Sequence, residues 1–194
     1  VHTGDLAQVS KPETYARYQA FMQKLNIPFY QIPGNHDDIQ FFPFETPDPI
    51  PTVLAFANWR IVLLNSAVPQ KIDGWIKIAQ LEHLKNILEE NQQYSVVLAC
   101  HHHPLEMKSH WIDRHKLKNT EELTKVLEKY SNIKAVIFGH VHQDSLNLWQ
   151  NIQFLSTPST SVQFKPLSFD FALDDIAPGY RSILLKDNGK FDTL

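Results

Sequence analysis

Residues 94–104 read YSVVLACHHHP, an apolar stretch that runs directly into three histidines and a proline. Tyr94 to Cys100 have the length and composition of a buried strand, so the histidines should follow its carboxyl end. A second apolar stretch, 133–138, leads in the same way into Gly139-His140-Val141-His142. Because ligands of open α/β sheets bind outside the carboxyl ends of the strands, we expect both histidine groups to lie at one edge of a sheet.

Two further patches combine a glycine with polar side chains that can bind metals. Gly4-Asp5 follows a short strand-like start, and Gly34-Asn35-His36-Asp37 follows a predicted strand at 28–32. Carboxylate, amide and imidazole ligands together suit Mn, Fe or Zn, and pairs of such ions commonly cleave phosphate esters. The order of the four patches therefore predicts a metal site assembled from four loops.

The composition sets wide limits on the class of protein. The chain has 194 residues, a formal net charge of −3, ten histidines and one cysteine. We expect one domain spanning 1–194, and the charge argues against a protein that coats nucleic acid. A single cysteine excludes an intrachain disulfide, and no apolar run reaches the roughly 18 residues of a membrane span. We expect a cytoplasmic protein without a membrane or nucleic-acid partner.

Alternating strand and helix patterns predict an α/β fold with a mixed sheet. Ser10 to Glu13 form a capping-box pattern ahead of a helix that should end near Leu25. Asn119 should cap a helix that ends near Tyr130, and Asn188-Gly189 is a strong hairpin signal. The remaining predicted strands are 52–56, 59–65, 146–149, 152–155 and 180–185. The remaining predicted helix is 78–90.

The chemistry of the patches suggests distinct roles for their side chains. Asp5 could bridge two cations, Asn35 offers a neutral oxygen, and one histidine of 101–103 would join them. His140 and His142 are two residues apart, so an extended segment would point both to one side. His36 follows Asn35 directly and can face a substrate, where an imidazolium would hold a phosphate and protonate the leaving oxygen.

Each patch also has a simpler explanation. Gly34 to Asp37 could be only a β-turn, and 101–103 could be a solvated strand end or a tract that scavenges metals. His140 and His142 could be histidines at the edge of the core. The phenylalanines of 41–44 are better explained by packing than by base stacking, and His110 and His115 are weaker candidates for substrate contact.

Taken in order, the patches resemble the calcineurin-like metallophosphoesterase superfamily, whose signature includes Gly-Asp, Gly-Asn-His-Asp/Glu, a histidine and Gly-His-x-His. Within it, the chain is most similar to the bacterial 3′,5′-cyclic-AMP phosphodiesterases. That similarity depends on HHHPL at 101–105, WID at 111–113 and GHVHQ at 139–143. It depends also on TPSTSVQFKP at 157–166 and DFALD at 170–174, stretches whose role the chemistry does not explain.

The resemblance implies two facing mixed β-sheets flanked by helices, and two divalent metal ions. Asp5 would be the bridging ligand, with Asn35, His102 and His140 completing the second metal's set and His142 on the first metal. We choose His102 because the ligand of the family usually lies two residues before the proline. Asn35, His36 and His142 would contact the substrate, and His36 would be the catalytic acid.

The sequence departs from the family pattern at two places. The Asp-x-His motif does not occur ahead of Gly4-Asp5, so we expect the chain to lack N-terminal strands and part of the first metal site, leaving the second site better preserved. Many relatives have an aspartate three residues after the Gly-Asp aspartate, where this chain has Gln8. A carboxylate partner for the catalytic histidine is then missing unless Asp37 replaces it.

The resemblance implies hydrolysis of 3′,5′-cyclic AMP to 5′-AMP by a hydroxide held between the two metals. Impaired activity is expected if the first metal lacks ligands. Three alternatives stay open. The first is another phosphodiesterase, acting on glycerophosphodiesters or nucleotide-sugars, and the second is a non-catalytic module that binds metal or nucleotide. The third and weaker one is an interaction domain with an incidental histidine cluster.

Overall fold

A six-stranded mixed sheet forms the centre of the computed structural model, which describes all residues from 1 to 194. Its strands lie in the order β1-β2-β3-β4-β6-β5, with parallel pairing from β2 through β3 and β4 to β6 and antiparallel pairs at both edges. This confirms the predicted α/β class and its mixed sheet. The strands are β1 (Thr52–Phe56), β2 (Trp59–Leu63), β3 (Ser95–Cys100), β4 (Ile133–Phe138), β5 (Ser145–Trp149) and β6 (Ile152–Ser156).

The central strands are buried on both faces, as their continuous apolar sequences predict. Along β3, Val96, Leu98 and Cys100 point into a core cluster of 21 buried residues. The alternate residues Val97 and Ala99 belong to a separate cluster of nine on the opposite face. The sheet therefore separates two cores, and the carboxyl ends of its parallel strands are held rigidly between them.

Two of the helices cover the face of the sheet with the larger core. Leu81, Leu84 and Leu88 follow the spacing of one helical face and are buried in that cluster, as are Val126 and Leu127. The helices are α1 (Pro12–Lys24), α2 (Ile78–Glu90), α3 (His110–Asp113) and α4 (Thr120–Leu127). No helix is both long enough and apolar enough to cross a membrane.

On the opposite face, a two-stranded ribbon stands where the family resemblance implied a second sheet. The ribbon pairs β9 (Ile183–Leu185) with β10 (Phe191–Thr193), and its apolar side chains pack against the smaller core. Its turn contains Gly189 at φ 74°, which confirms the hairpin predicted at Asn188-Gly189. A further pair, β7 (Gln163–Phe164) with β8 (Leu173–Asp174), lies in the unexplained segment that follows residue 157.

Three local predictions were wrong. Residues 28–32, which we predicted to form a strand, make only one β-bridge, between Gln31 and His2. Only that one residue of the N-terminal segment pairs with them. Ser10 does not cap α1; its hydroxyl instead bonds to the Tyr15 hydroxyl and the Asp38 amide. Asn119 stands at the start of α4, but its side chain bonds to both backbone groups of Ile76 rather than to the helix.

The aromatic residues of 41–44 largely form a packing cluster. Phe42 is 8% exposed and contacts Tyr15 edge to face, and Phe44 packs against Phe42 in the same manner. Phe41 is exposed. This small cluster anchors α1 beside the loop that carries Gly34 to Asp37.

Candidate metal centre

Four loops meet at the carboxyl edge of the sheet, as the positions of the patches predicted. His101 directly follows β3, and Gly139-His140 directly follows β4, its parallel neighbour. Asp5 and Asn35 come from the two segments joined by the bridge between His2 and Gln31. The sequence interpretation of one convergent site is consistent with this geometry.

Three of the candidate ligands have strained backbones. Asp5, His140 and His142 have φ angles of 55°, 64° and 48°, in the left-handed region that costs a non-glycine residue about 1–3 kcal/mol. Strain of this kind persists only where the surrounding structure enforces it. All three residues lie in loops that carry candidate ligands.

Gly34 permits the closest approach between two of the loops. A Cβ at this position would lie 2.1 Å from Oδ1 of Asp5 and 2.5 Å from its backbone nitrogen. The amide of His36 donates to the same carboxylate oxygen at 2.9 Å. The turn 34–36 is therefore shaped around the Asp5 carboxylate.

His101 lies at the centre of the site. Its Nδ1 is 2.7 Å from the carbonyl oxygen of Thr3, which can only accept, so Nδ1 carries the proton. In the neutral ring the lone pair of Nε2 then faces three other electron-rich atoms. These are Oδ1 of Asn35 at 3.1 Å, Oδ2 of Asp5 at 3.3 Å and Nδ1 of His140 at 3.2 Å.

A metal ion fits this arrangement of donors. One N–H on His101 could not serve three acceptors, whereas a cation among the four atoms would satisfy all of them. The set of one carboxylate, one amide oxygen and two imidazoles suits Mn, Fe or Zn. The hydrogen bond from His101 to the Thr3 carbonyl is also the kind of second contact that orients a metal-binding histidine.

The electrostatics of the site favour a positive charge at its centre. Burial raises the pKa of Asp5, but His101 and the His36 amide outweigh it and hold that pKa well below its usual range. Burial likewise lowers the pKa of His101, yet the Asp5 carboxylate and the Thr3 carbonyl leave it raised. Burial and four neighbouring histidines keep the pKa of His140 far below normal, so its ring is neutral and offers a lone pair.

Within the histidine run, His101 replaces His102 as the candidate ligand. One ring nitrogen from each of His101, His102 and His140 lies within 4.8 Å of the other two. Both nitrogens of His102, however, have other partners. Nδ1 lies 2.9 Å from the Ser66 hydroxyl, and Nε2 lies 3.0 Å from the Ile72 carbonyl and must therefore carry a proton. Our sequence-based choice of His102 assumed that the position relative to the proline identifies the ligand.

His36 lies beside the cluster with its ring open to solvent. Its backbone is fixed by Asp5, while its Nδ1 has only the Gln8 amide as a neighbour, at 3.4 Å. Asp37 does not replace the missing carboxylate partner. Its buried carboxyl group accepts bonds from the Gly34 and Leu6 amides and from the Tyr15 hydroxyl.

His142 lies in the same loop as His140, two residues further along the chain. Burial lowers its pKa, and the Val162 carbonyl and the Asp5 carboxylate partly offset that effect. Its Nδ1 lies 2.9 Å from the carbonyl oxygen of Val162, so Nε2 is the nitrogen left for a metal. His110 and His115 have other contacts: the first stacks on Phe169, and the second pairs with Asp73 at 2.9 Å.

Sequence reasoning missed the residues that orient the ligands through hydrogen bonds. Thr3 acts through its backbone carbonyl, which leaves no signal in the sequence. Ser66 is buried three positions beyond the end of β2, and its hydroxyl accepts the amides of His101 and His102. The one available signal in the sequence was the position of Ser66 just beyond the parallel strand β2. The next two parallel strands, β3 and β4, are followed directly by the histidine groups.

Comparison with known proteins identifies the family of this chain. Residues 1–144 match the calcineurin-like phosphoesterase family. A 3′,5′-cyclic adenosine monophosphate phosphodiesterase of Haemophilus influenzae is 37% identical over 98% of this chain and 71% of its own length. The enzyme of the same name from Escherichia coli strain K12 is 36% identical over the whole chain and 72% of its own length.

A solved structure supports the same fold. A dimetal phosphatase from Danio rerio superposes with a TM-score of 0.61 at 16% identity, covering 88% of this chain and 73% of that protein. At this identity the likeness concerns the fold alone. The family match, covering most of the chain, and the relatives above 30% identity together establish that this chain belongs to the calcineurin-like phosphoesterase family of enzymes.

Proposed function

We propose that this protein hydrolyses 3′,5′-cyclic AMP to 5′-AMP with the help of divalent metal ions. The observation that carries the proposal is the convergence of Asp5, Asn35 and His140 on one nitrogen of His101, all within 3.3 Å. The names of the relatives point to cyclic AMP as the substrate. The cytoplasmic location remains a prediction.

The ligands divide between two metal positions that share Asp5. Asn35, His101 and His140 would complete one set with it, and His142 would belong to the other. Bound there, divalent ions would neutralise the phosphate's charge and lower the pKa of water, which yields a nucleophile at neutral pH. This chain's contribution is to hold the donors rigid, through the Thr3 and Val162 carbonyls behind His101 and His142.

His36 is the residue we assign to the leaving group. Its backbone is held by Asp5, so the ring projects next to the metal positions while its own nitrogens stay free of strong partners. Gln8 is neutral and can turn its amide to meet either protonation state of the ring. The negatively charged phosphate of the substrate would lie beside the protonated ring of His36. That ring would then pass its proton to the departing 3′ oxygen.

The test compares three proteins purified without a histidine tag and supplied with Mn²⁺. The parent should hydrolyse cyclic AMP more efficiently than a generic aryl phosphodiester. His36→Gln should lower kcat by about 10²–10⁴-fold, the usual contribution of a general acid, while metal content stays unchanged. His83→Gln serves as the matched control, because His83 lies on α2 and outside the four patches.

Three results would contradict the proposal. Equal or faster hydrolysis of the aryl ester would favour another phosphodiesterase of the family. Metal binding without turnover of either ester would favour a binding module. Full activity of His36→Gln would remove that residue from the mechanism.

A further inference from the structure

Residues 162–164, here called the His142 clamp, hold that histidine at three points. The Val162 carbonyl lies 2.9 Å from Nδ1, and the Phe164 amide donates to the His142 carbonyl at 3.1 Å. The Phe164 ring stacks on the imidazole with centroids 4.1 Å apart and planes 6° from parallel. One short segment therefore fixes the backbone, the tautomer and the ring plane of His142.

The clamp is itself held rigidly by its middle residue. Gln163 is 3% exposed, and its amide oxygen accepts the Ser159 amide at 2.9 Å. Its amide nitrogen donates to the carbonyls of Ser159 at 2.7 Å and Ala177 at 3.3 Å. The partners of this side chain lie before β7 and after β8, so the positions of Val162 and Phe164 on either side of Gln163 are set before any ligand binds.

Two aromatic side chains pack against the ring of Phe164. Trp111 and Phe171 meet it edge to face, with centroid distances of 5.0 Å and 5.6 Å, and they contact each other at 5.1 Å. The pairing of β7 with β8 brings Phe171 to this position. The braced phenyl ring leaves the imidazole little room to turn.

The bond to Val162 decides which nitrogen of His142 is available. A carbonyl oxygen only accepts, so Nδ1 must carry the proton and Nε2 keeps its lone pair. A ring free to rotate would exchange the positions of its two nitrogens. It would also lose conformational entropy when the binding of an ion fixed it in place. Stacking against Phe164 removes that freedom in advance.

We propose that the His142 clamp is a positioning device for the metal position served by His142, and that Phe164 and Val162 are its positioning residues. This gives a role to the stretch from 157 to 174 that the metal motifs leave unexplained. The inference rests on the proposed function for the assignment of His142 as a ligand.

The first experiment measures Mn²⁺ binding by calorimetry for matched variants. His142→Gln defines the full loss at this position. Phe164→Leu should weaken the same binding step by about 10-fold, within the 10–100-fold range for residues that orient ligands, and Phe164→Tyr should restore it. Phe169→Leu is the matched control, because Phe169 also stacks on a histidine, His110, at 4.4 Å and 2°.

Two outcomes of this experiment would overturn the proposal. One is unchanged Mn²⁺ affinity in Phe164→Leu when His142→Gln has lost it. The other is an equal loss in Phe169→Leu, which would indicate a general effect of removing a surface aromatic ring. Thermal unfolding of each variant without metal separates either result from a failure to fold.

The second experiment needs no change in the clamp. Nitrogen-15 NMR of the metal-free parent, with the His142 signals identified by their absence in His142→Gln, reports which ring nitrogen bears the proton. We expect the proton on Nδ1, and a proton on Nε2 would overturn the clamp. This result is independent of catalysis, so a parent that fails to hydrolyse cyclic AMP would refute the proposed function without deciding on the clamp.

Discussion

Exchanging the neighbours His101 and His102 should separate metal binding from fold stability. Both are fully buried, but the first faces Asp5, Asn35 and His140, while the second is bonded to Ser66 and Ile72. We therefore expect His101→Gln to lose metal affinity. His102→Gln should retain metal affinity and lose stability.

The expected sizes follow from the contacts. At a Mn²⁺ concentration 100 times Kd, a bound ion stabilises the parent by about 2.7 kcal/mol. If losing the His101 ligand weakens binding by about 100-fold, the same Mn²⁺ concentration stabilises the variant by only about 0.4 kcal/mol. Glutamine at position 102 leaves at least one buried partner unpaired, which costs about 1–3 kcal/mol without metal.

Urea unfolding with and without Mn²⁺ measures both quantities on the same samples. His83→Gln should match the parent in both conditions. The opposite pattern, in which His102→Gln loses the stabilisation by Mn²⁺ and His101→Gln keeps it, would refute the assignment of His101 and restore the choice made from the sequence.

Three further predictions follow from single contacts. Gly34→Ala should abolish Mn²⁺ binding measured by calorimetry, since its Cβ would lie 2.1 Å from the Asp5 carboxylate; retained affinity would show that the turn adapts. Ser66→Ala should lower the free energy of unfolding by about 2–4 kcal/mol, because two buried amides lose their acceptor, and the exposed Ser161→Ala should not. Burial raises the pKa of Tyr15 to about 12 from 10, so the unfolded chain loses this proton first and stability should fall as pH rises from 10 to 12. Tyr15→Phe should make that fall shallower, and an unchanged slope would contradict the pKa.

The sequence predicted those features of the fold that depend on local pattern. The apolar runs at 94–100 and 133–138 became β3 and β4, and a hairpin formed at Asn188-Gly189, where the turn residues indicated it. The proximity of the loops that follow β3 and β4 came from a general property of parallel sheets, that the carboxyl ends of their strands share an edge. No long-range information was needed for these steps.

The wrong predictions involved competition between distant partners. Ser10 has the right neighbours for a helix cap, but it bonds instead to the loop at 36–38, which lies far along the chain. The choice between His101 and His102, which stays a prediction, depends on distant partners in the same way. Successive residues after a strand point in different directions, and which of them faces the site depends on where Thr3, Ser66 and Ile72 lie in three dimensions.

Anomalous diffraction from a crystal of the protein soaked with Mn²⁺ would test the central claim most directly. We expect a peak within coordination distance of Asp5, Asn35, His101 and His140, with His102 still bonded to Ser66 and Ile72. A peak coordinated by His102, or bound Mn²⁺ found only away from Asp5, would contradict it.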